Sequence, residues 1–260
     1  MTKTVRTCGK LYLAGEYSVL TAGQGAILKH IPIYMTGKIH FAEQYHLFSD
    51  MFDHAVDLTP DDDYSLIQDT VAVMNEFLQS QSISLSPFSL TITGKMEQDG
   101  KKFGLGSSGA VVVATIDTIL QWHHIPVEPL LVYKLAAITN TLLGSNGSLG
   151  DIASSAFGGI ILYQRIDATW IQEQLQQHSI SEVVNKEWTG LVIQPLSLPP
   201  QLKMLVGWTK EKADTSSFVS SVTHTRTQAE KDAYYQQFLK QNTAILNHIT
   251  TALTEEDTEA

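Results

Sequence analysis

One cysteine in 260 residues leaves no partner for an internal disulfide, so Cys8 reads as a small buried residue and the chain as a cytoplasmic protein held by its core alone. Basic residues are also scarce. Lys and Arg number 17 against 27 Asp and Glu, a net charge of −10, and a surface of that sign repels a phosphate backbone, which argues against a nucleic-acid partner. No apolar run reaches the roughly 18 residues of a membrane span. Nothing resembling a signal peptide opens the chain. After Gly207 there is no further glycine. What is present is a 43% hydrophobic composition, enough for one large core or two modest ones. Pro199-Pro200 marks the expected boundary between a unit over 1–198 and a smaller one over 199–260.

The stretch with the most chemical content is Gly104-Leu105-Gly106-Ser107-Ser108-Gly109-Ala110, ahead of the apolar run Val111–Ile119. A glycine-rich turn opening a helix points several unpaired backbone N–H groups one way, with the positive end of the helix dipole behind them. That arrangement seats phosphate. Serine hydroxyls add donors to phosphate or an oxygen for Mg²⁺. The spacing also spells a dinucleotide fingerprint, but the acidic residue expected about 20 positions on is Glu128, beside Pro129 at a helix start and not at a strand end. A P-loop is excluded because no Lys-Ser or Lys-Thr follows the glycines. A purely structural glycine turn stays open at this point.

Along the chain, Val5–Leu13 reads as a strand, with Lys10 either solvated or carrying charge to a site. Ala26–Met35 is a second strand, in which Pro32 argues for an edge or a break; the β-rich pattern continues through Thr36–Phe48. Asp61-Asp62-Asp63 offers a helix cap before Tyr64–Leu78, where apolar residues recur at helical spacing. Ser89–Thr93 is a short strand and Glu97–Lys102 a polar turn. The β-branched run from Ser108 to Trp122 is too long for a strand and reads as a buried helix, its closing His123 and His124 favouring the helix dipole. Pro129 starts another helix, with Leu131, Leu135, Ile138 and Leu142 on one face and Gly144 as its stop.

Asp151 follows the small, polar stretch Gly144-Ser145-Asn146-Gly147-Ser148-Leu149-Gly150 and opens a short helix, either as a cap or as a general base or a carboxylate that orients a hydroxyl nucleophile. Gly159–Gln164 and Leu191–Gln194 are strands, and Trp170–Gln177 is a helical piece. Lys203–Trp208 is expected as a strand leading to a basic, hydroxyl-rich loop with Lys210, Lys212, Thr215, Ser216 and Ser217, suited to phosphate or to an ordinary turn. Thr227–Thr251 is a long helix with Tyr235, Leu239, Leu246 and Ile249 inward.

Gly9-Lys10-Leu11-Tyr12-Leu13-Ala14-Gly15-Glu16-Tyr17, then Gly104 to Gly109, then Gly144-Ser145 to Gly150-Asp151 occur in an order that resembles the GHMP kinases, closest to the bacterial branch acting on phosphomevalonate. The resemblance implies an α+β protein of two domains: an S5-like ATP-binding domain over 1–198 and a ferredoxin-like domain over 199–260. It further implies transfer of the ATP γ-phosphoryl group to 5-phosphomevalonate in isoprenoid synthesis. Gly104, Leu105, Gly106, Ser107, Ser108 and Gly109 would hold the ATP phosphates, with Ser108 toward Mg²⁺. Lys10 and Asp151 would be catalytic. Lys101, Lys102, Ser145, Ser148, Ser216 and Ser217 would hold the acceptor. The family's third glycine motif, G-A-G-G-G, has no counterpart here, so the second domain is expected to be incomplete. Mevalonate as acceptor, or a binding protein without turnover, are the alternative expectations.

Overall fold

The computed structural model describes residues 2–84, 86–145, 147–210 and 228–255, except the side chain of Ala168. Its first half carries β1 (Thr2–Ala14), β2 (Gly25–Phe41), β3 (His46–Ser49), β4 (Ala55–Val56), α1 (Ser65–Ser80), β5 (Phe88–Thr93), β6 (Glu97–Gln98) and β7 (Lys101–Lys102). After these come α2 (Ser107–Trp122), α3 (Pro129–Leu142), α4 (Gly150–Phe157), β8 (Ile160–Gln164), α5 (Ala168–Leu175), α6 (Ile180–Asn185), β9 (Val192–Leu196) and α7 (Gln228–Glu255). The mixture of helix and mostly antiparallel sheet is the α+β class expected.

The long strand β2 organises the sheet. Antiparallel β1 runs along one edge of it, while β8 pairs with Gly25–Lys29 and β5 with Thr36–Phe41 on the other. Pro32 neither ends β2 nor lies on an edge strand. It falls where the register with β1 shifts between Cys8 and Gly9, and in the gap between the β8 and β5 pairings, so its missing N–H leaves no ladder bond unmade. Strand β3 joins β5 in parallel, and β4 and β9 close the two ends of the sheet.

Alternation along the strands sorts side chains to two faces. Ala26, Leu28, Ile161 and Tyr163 join the main core beneath α1 to α4, whereas Ile27, Ile160 and Leu162 meet Leu246 and Ile249 of α7 on the opposite face. Helix α2 lies in the middle of the main core, with Ala110, Val112, Ala114, Ile116, Ile119 and Leu120 fully buried. Burial on nearly all sides is why a β-branched sequence forms this helix: packing outweighs strand propensity.

Several local expectations are corrected. Helix α1 has Tyr64 at its N-cap and no side-chain cap. Asp61 instead closes a turn, its Oδ1 accepting the Asp63 N–H at 3.0 Å while its own N–H donates to Gln68 Oε1 at 3.0 Å. His123 does not serve the dipole as a cation, because burial, and then the charge of His124, push its pKa down. Leu142 is exposed, and α3 turns Val132, Leu135, Ala136 and Ile138 inward instead. Residues 203–208 form no strand; they pair with nothing among the described residues, and Leu205 is 94% exposed. On α7, Leu239 and Leu246 are buried and Ile249 is half-buried, but Tyr235 is largely exposed, its hydroxyl 2.7 Å from Thr21 Oγ1. Helix α6 was not foreseen, although Ser179 and Glu182 form a complete capping box, a signal present in the sequence as S-x-x-E. Among the described residues no helix is long and apolar enough to cross a membrane.

Candidate active site

The site forms where β1, the start of α2 and the start of α4 meet. Gly104 and Gly106 take left-handed backbone angles, φ +75° and +77°, and Gly106 caps α2 without any side-chain hydrogen bond. The N-cap itself thus places no side chain on the first-turn N–H groups of this 16-residue helix, of which that of Gly109 faces the Asp151 carboxylate. A Cβ on Gly106 would lie 2.8 Å from Asp151 Cβ and 3.2 Å from Lys10 Cε, and one on Gly109 would lie 2.6 Å from Asp151 Oδ2. Close approach thus requires glycine at both positions, and at Gly106 the turn geometry does too. Backbone joins the same parts, since Lys10 N–H donates to Leu105 C=O at 2.8 Å.

Asp151 sits in the first turn of α4, after Leu149 at the N-cap, so it is not the cap itself. Burial pushes its carboxyl above the usual aspartate range. The positive charge of Lys10 opposes that shift, as do backbone N–H groups including that of Gly109. A negative group held on the N-terminal turns of α2 and α4 beside a lysine is oriented and compensated, yet costly to ionise.

One cavity of about 370 Å³ brings together Lys10, Lys102, Gly104, Leu105, Gly106, Ser107, Ser108, Ser148 and Asp151, with Tyr12 and Gly147. Gly109 lies behind it, against the Asp151 carboxylate. Lys101 and Ser145 are exposed and do not line this cavity. The reason for Lys101 is alternation: β6 and β7 form a hairpin through Asp99 and Gly100, both at positive φ, and adjacent strand residues point to opposite faces. Ser145 Oγ accepts the Gly147 N–H at 3.4 Å, within its own turn. Ser216 and Ser217, with Lys212 and Thr215, lie outside the described residues. Tyr12 and Gly147 were not anticipated as lining residues. The signal for Tyr12 was its place two residues from Lys10 on one strand, which puts both on the same face.

The donor set suits the ligands the resemblance implies. Ser108 is exposed at the cavity, and the Asp151 carboxylate packs on the next residue, Gly109; hydroxyl and carboxylate oxygens are what Mg²⁺ takes. A second cavity of about 300 Å³ beside α1 is walled by Asp61, Asp62 and Asp69, the wrong sign for phosphate. Cys8 is buried, its Sγ 3.8 Å from Ser154 C=O, and burial pushes its thiol pKa up, so it is inert.

A glycine-opened helix N-terminus, faced by a lysine and an aspartate from two other elements, is the equipment of a phosphotransferase. Residues 65–159 match the family model described as the GHMP kinases N terminal domain. The phosphomevalonate kinase of Streptococcus pneumoniae, solved in complex with phosphomevalonate and AMPPNP, is 41% identical, with a TM-score of 0.86 over 99% of this chain and 75% of that one. The chain belongs to the GHMP kinases.

Within that family, two relatives that it resembles in sequence are phosphomevalonate kinases. Besides the pneumococcal enzyme, that of Streptomyces sp. (strain CL190) is 28% identical over 96% of this chain and 72% of its own length. Leishmania major mevalonate kinase shares the fold at a TM-score of 0.60 but only 17% identity over 99% of this chain and 71% of that one.

Proposed function

We propose that this chain transfers the γ-phosphoryl group of ATP to the phosphate of 5-phosphomevalonate, giving 5-diphosphomevalonate and ADP, in the cytoplasm. The observation that carries the reading is one cavity in which the α2 N-terminus, Lys10, Asp151 and a second lysine, Lys102, converge. Relatives that match nearly the whole chain and are named for this reaction support it.

In this reading the N–H groups and serines from Gly104 to Gly109 hold the ATP phosphates, and Lys10 with Lys102 holds the acceptor phosphate at the Ser148 end of the cavity. An acceptor phosphate oxygen attacks the γ-phosphorus as the bond from that phosphorus to the β–γ bridging oxygen breaks, the electron pair leaving with ADP. The acceptor is already ionised near neutral pH, so little proton abstraction is needed. Lys10 offsets charge between two approaching anions, and Asp151 orients Lys10. Ser108 is the residue that would hold Mg²⁺, which when bound neutralises phosphate charge. We assign residues 1–198 to the nucleotide-binding domain and 199–260 to a second.

The test is ADP release from Mg·ATP with either acceptor. Turnover with phosphomevalonate and little with mevalonate is the expected result; the reverse preference would assign the chain to mevalonate.

A further inference from the structure

Tyr12 touches both sides of the cavity. Its ring lies under the Lys10 ammonium, 4.9 Å from Nζ to the ring centroid, a cation–π distance. Its hydroxyl is 2.6 Å from Ser148 Oγ. Ser148 is in turn held at two further points: Oγ accepts the Gly150 N–H at 3.3 Å, and its carbonyl accepts from Tyr163 Oη at 2.7 Å. Tyr163 is itself bonded to Tyr133 at 3.0 Å, inside the core.

The turn so held needs holding. Leu149 is in the left-handed region at φ +62°, a conformation that costs a non-glycine residue about 1–2 kcal/mol. Such backbone persists only where its surroundings impose it. Gly150 follows, and a Cβ there would lie 2.7 Å from the Tyr12 hydroxyl. The next residue is Asp151.

We infer that Tyr12 is a positioning residue: its ring seats Lys10, and its hydroxyl, through Ser148, fixes the Leu149–Gly150 turn that aims Asp151 at Gly109. The inference rests on the reading that Lys10 and Asp151 serve phosphoryl transfer. Burial pushes the Tyr12 phenol up to about 12, so the hydroxyl stays protonated throughout the neutral range. It also reassigns Ser148: with its hydroxyl engaged by Tyr12 and Gly150, this serine shapes the turn and leaves the acceptor's charge to Lys10 and Lys102.

Tyr12→Phe keeps the ring and deletes the hydroxyl; Tyr12→Leu deletes both. In steady-state kinetics on the full chain, Tyr12→Phe is expected to lower kcat about tenfold with KM for ATP changed less than about twofold, and Tyr12→Leu to lower kcat further. Ser148→Ala should match Tyr12→Phe, and the double variant should be no worse than either. Parental kcat in Tyr12→Phe, losses that multiply in the double variant, or a raised acceptor KM confined to Ser148→Ala would overturn the inference. Urea unfolding of the same set reads the Tyr12–Ser148 bond without turnover, and strictly additive stability losses there would also overturn it. A parent chain that shows the coupling but releases no ADP would remove the kinase reading and leave the latch standing.

Discussion

The glycine turn and residues 200–208 are both rich in signals, yet among the described residues only the first becomes a built structure. Around the turn, residues are fixed by elements distant in sequence: Gly106 by Lys10 and Asp151, Leu105 by the Lys10 backbone, and Ser148 on the facing side by Tyr12 and Tyr163. In the later segment, Leu202, Leu205 and Val206 are exposed, and the described contacts there are few, among them Trp208 edge-on to Phe103 at 4.8 Å. The difference teaches that a local pattern becomes structure only where a partner surface completes it. Strand propensity in Lys203–Trp208 joins no ladder among the described residues, whereas strand propensity in Val111–Ile116 is overridden by a core that wants a helix.

The largest effect expected from breaking the built region is chemical. Lys10→Met should cut kcat on the order of 10²- to 10³-fold, and Asp151→Asn by far less, because the acceptor needs little help losing a proton; equal losses in steady-state kinetics would collapse the two roles into one. Asp151→Asn should also raise Tm at neutral pH. Its folded pKa is raised by burial, so ionisation costs stability above that pKa and nothing below the unfolded value, and the gain should vanish in acid. Thermal melts at several pH values check the sign.

Next in size come packing changes. Leu246→Ala, which empties the contact holding α7 on the sheet, should cost about 2–4 kcal/mol in denaturant unfolding. Gly106→Ala combines a positive φ with a 2.8 Å clash and should cost about 1–3 kcal/mol together with most of the activity. Its control is Gly207→Ala, where an added Cβ meets nothing within 4 Å. The smallest effects belong to the later segment: Gly207→Ala and Leu205→Ser should each stay within about 0.5 kcal/mol of the parent in unfolding. A loss above about 1 kcal/mol in Leu205→Ser would show that this segment is packed in solution and erase the contrast.

Much of the fold was legible because its signals are local. Breaker-free length revealed α2, Pro129 and Gly144 bracketed α3, and the extended segments Val5–Leu13 and Gly159–Gln164 fell on β1 and β8. Asp151, Lys10 and the glycine turn were legible as separate motifs, but their meeting depends on a register shift in β1 and β2 that no short window contains. Asp61 misled because a cap and a turn use the same side-chain chemistry, and the choice fell to Gln68, seven residues on. His123 misled because burial, which sets its protonation, is a tertiary property. Lys101 and Lys102 could have been separated by strand alternation had the hairpin been foreseen. Tyr12 was hidden by its type: a strand tyrosine is ordinarily core.

The most direct measurement is ³¹P NMR of the full chain mixed with Mg·ATP and 5-phosphomevalonate. The account predicts that the ATP γ-resonance declines while the coupled pair of a diphosphate monoester grows in alongside ADP. A phosphomonoester signal that persists unchanged while the γ-phosphate stays on ATP, or is released only as inorganic phosphate, would contradict it.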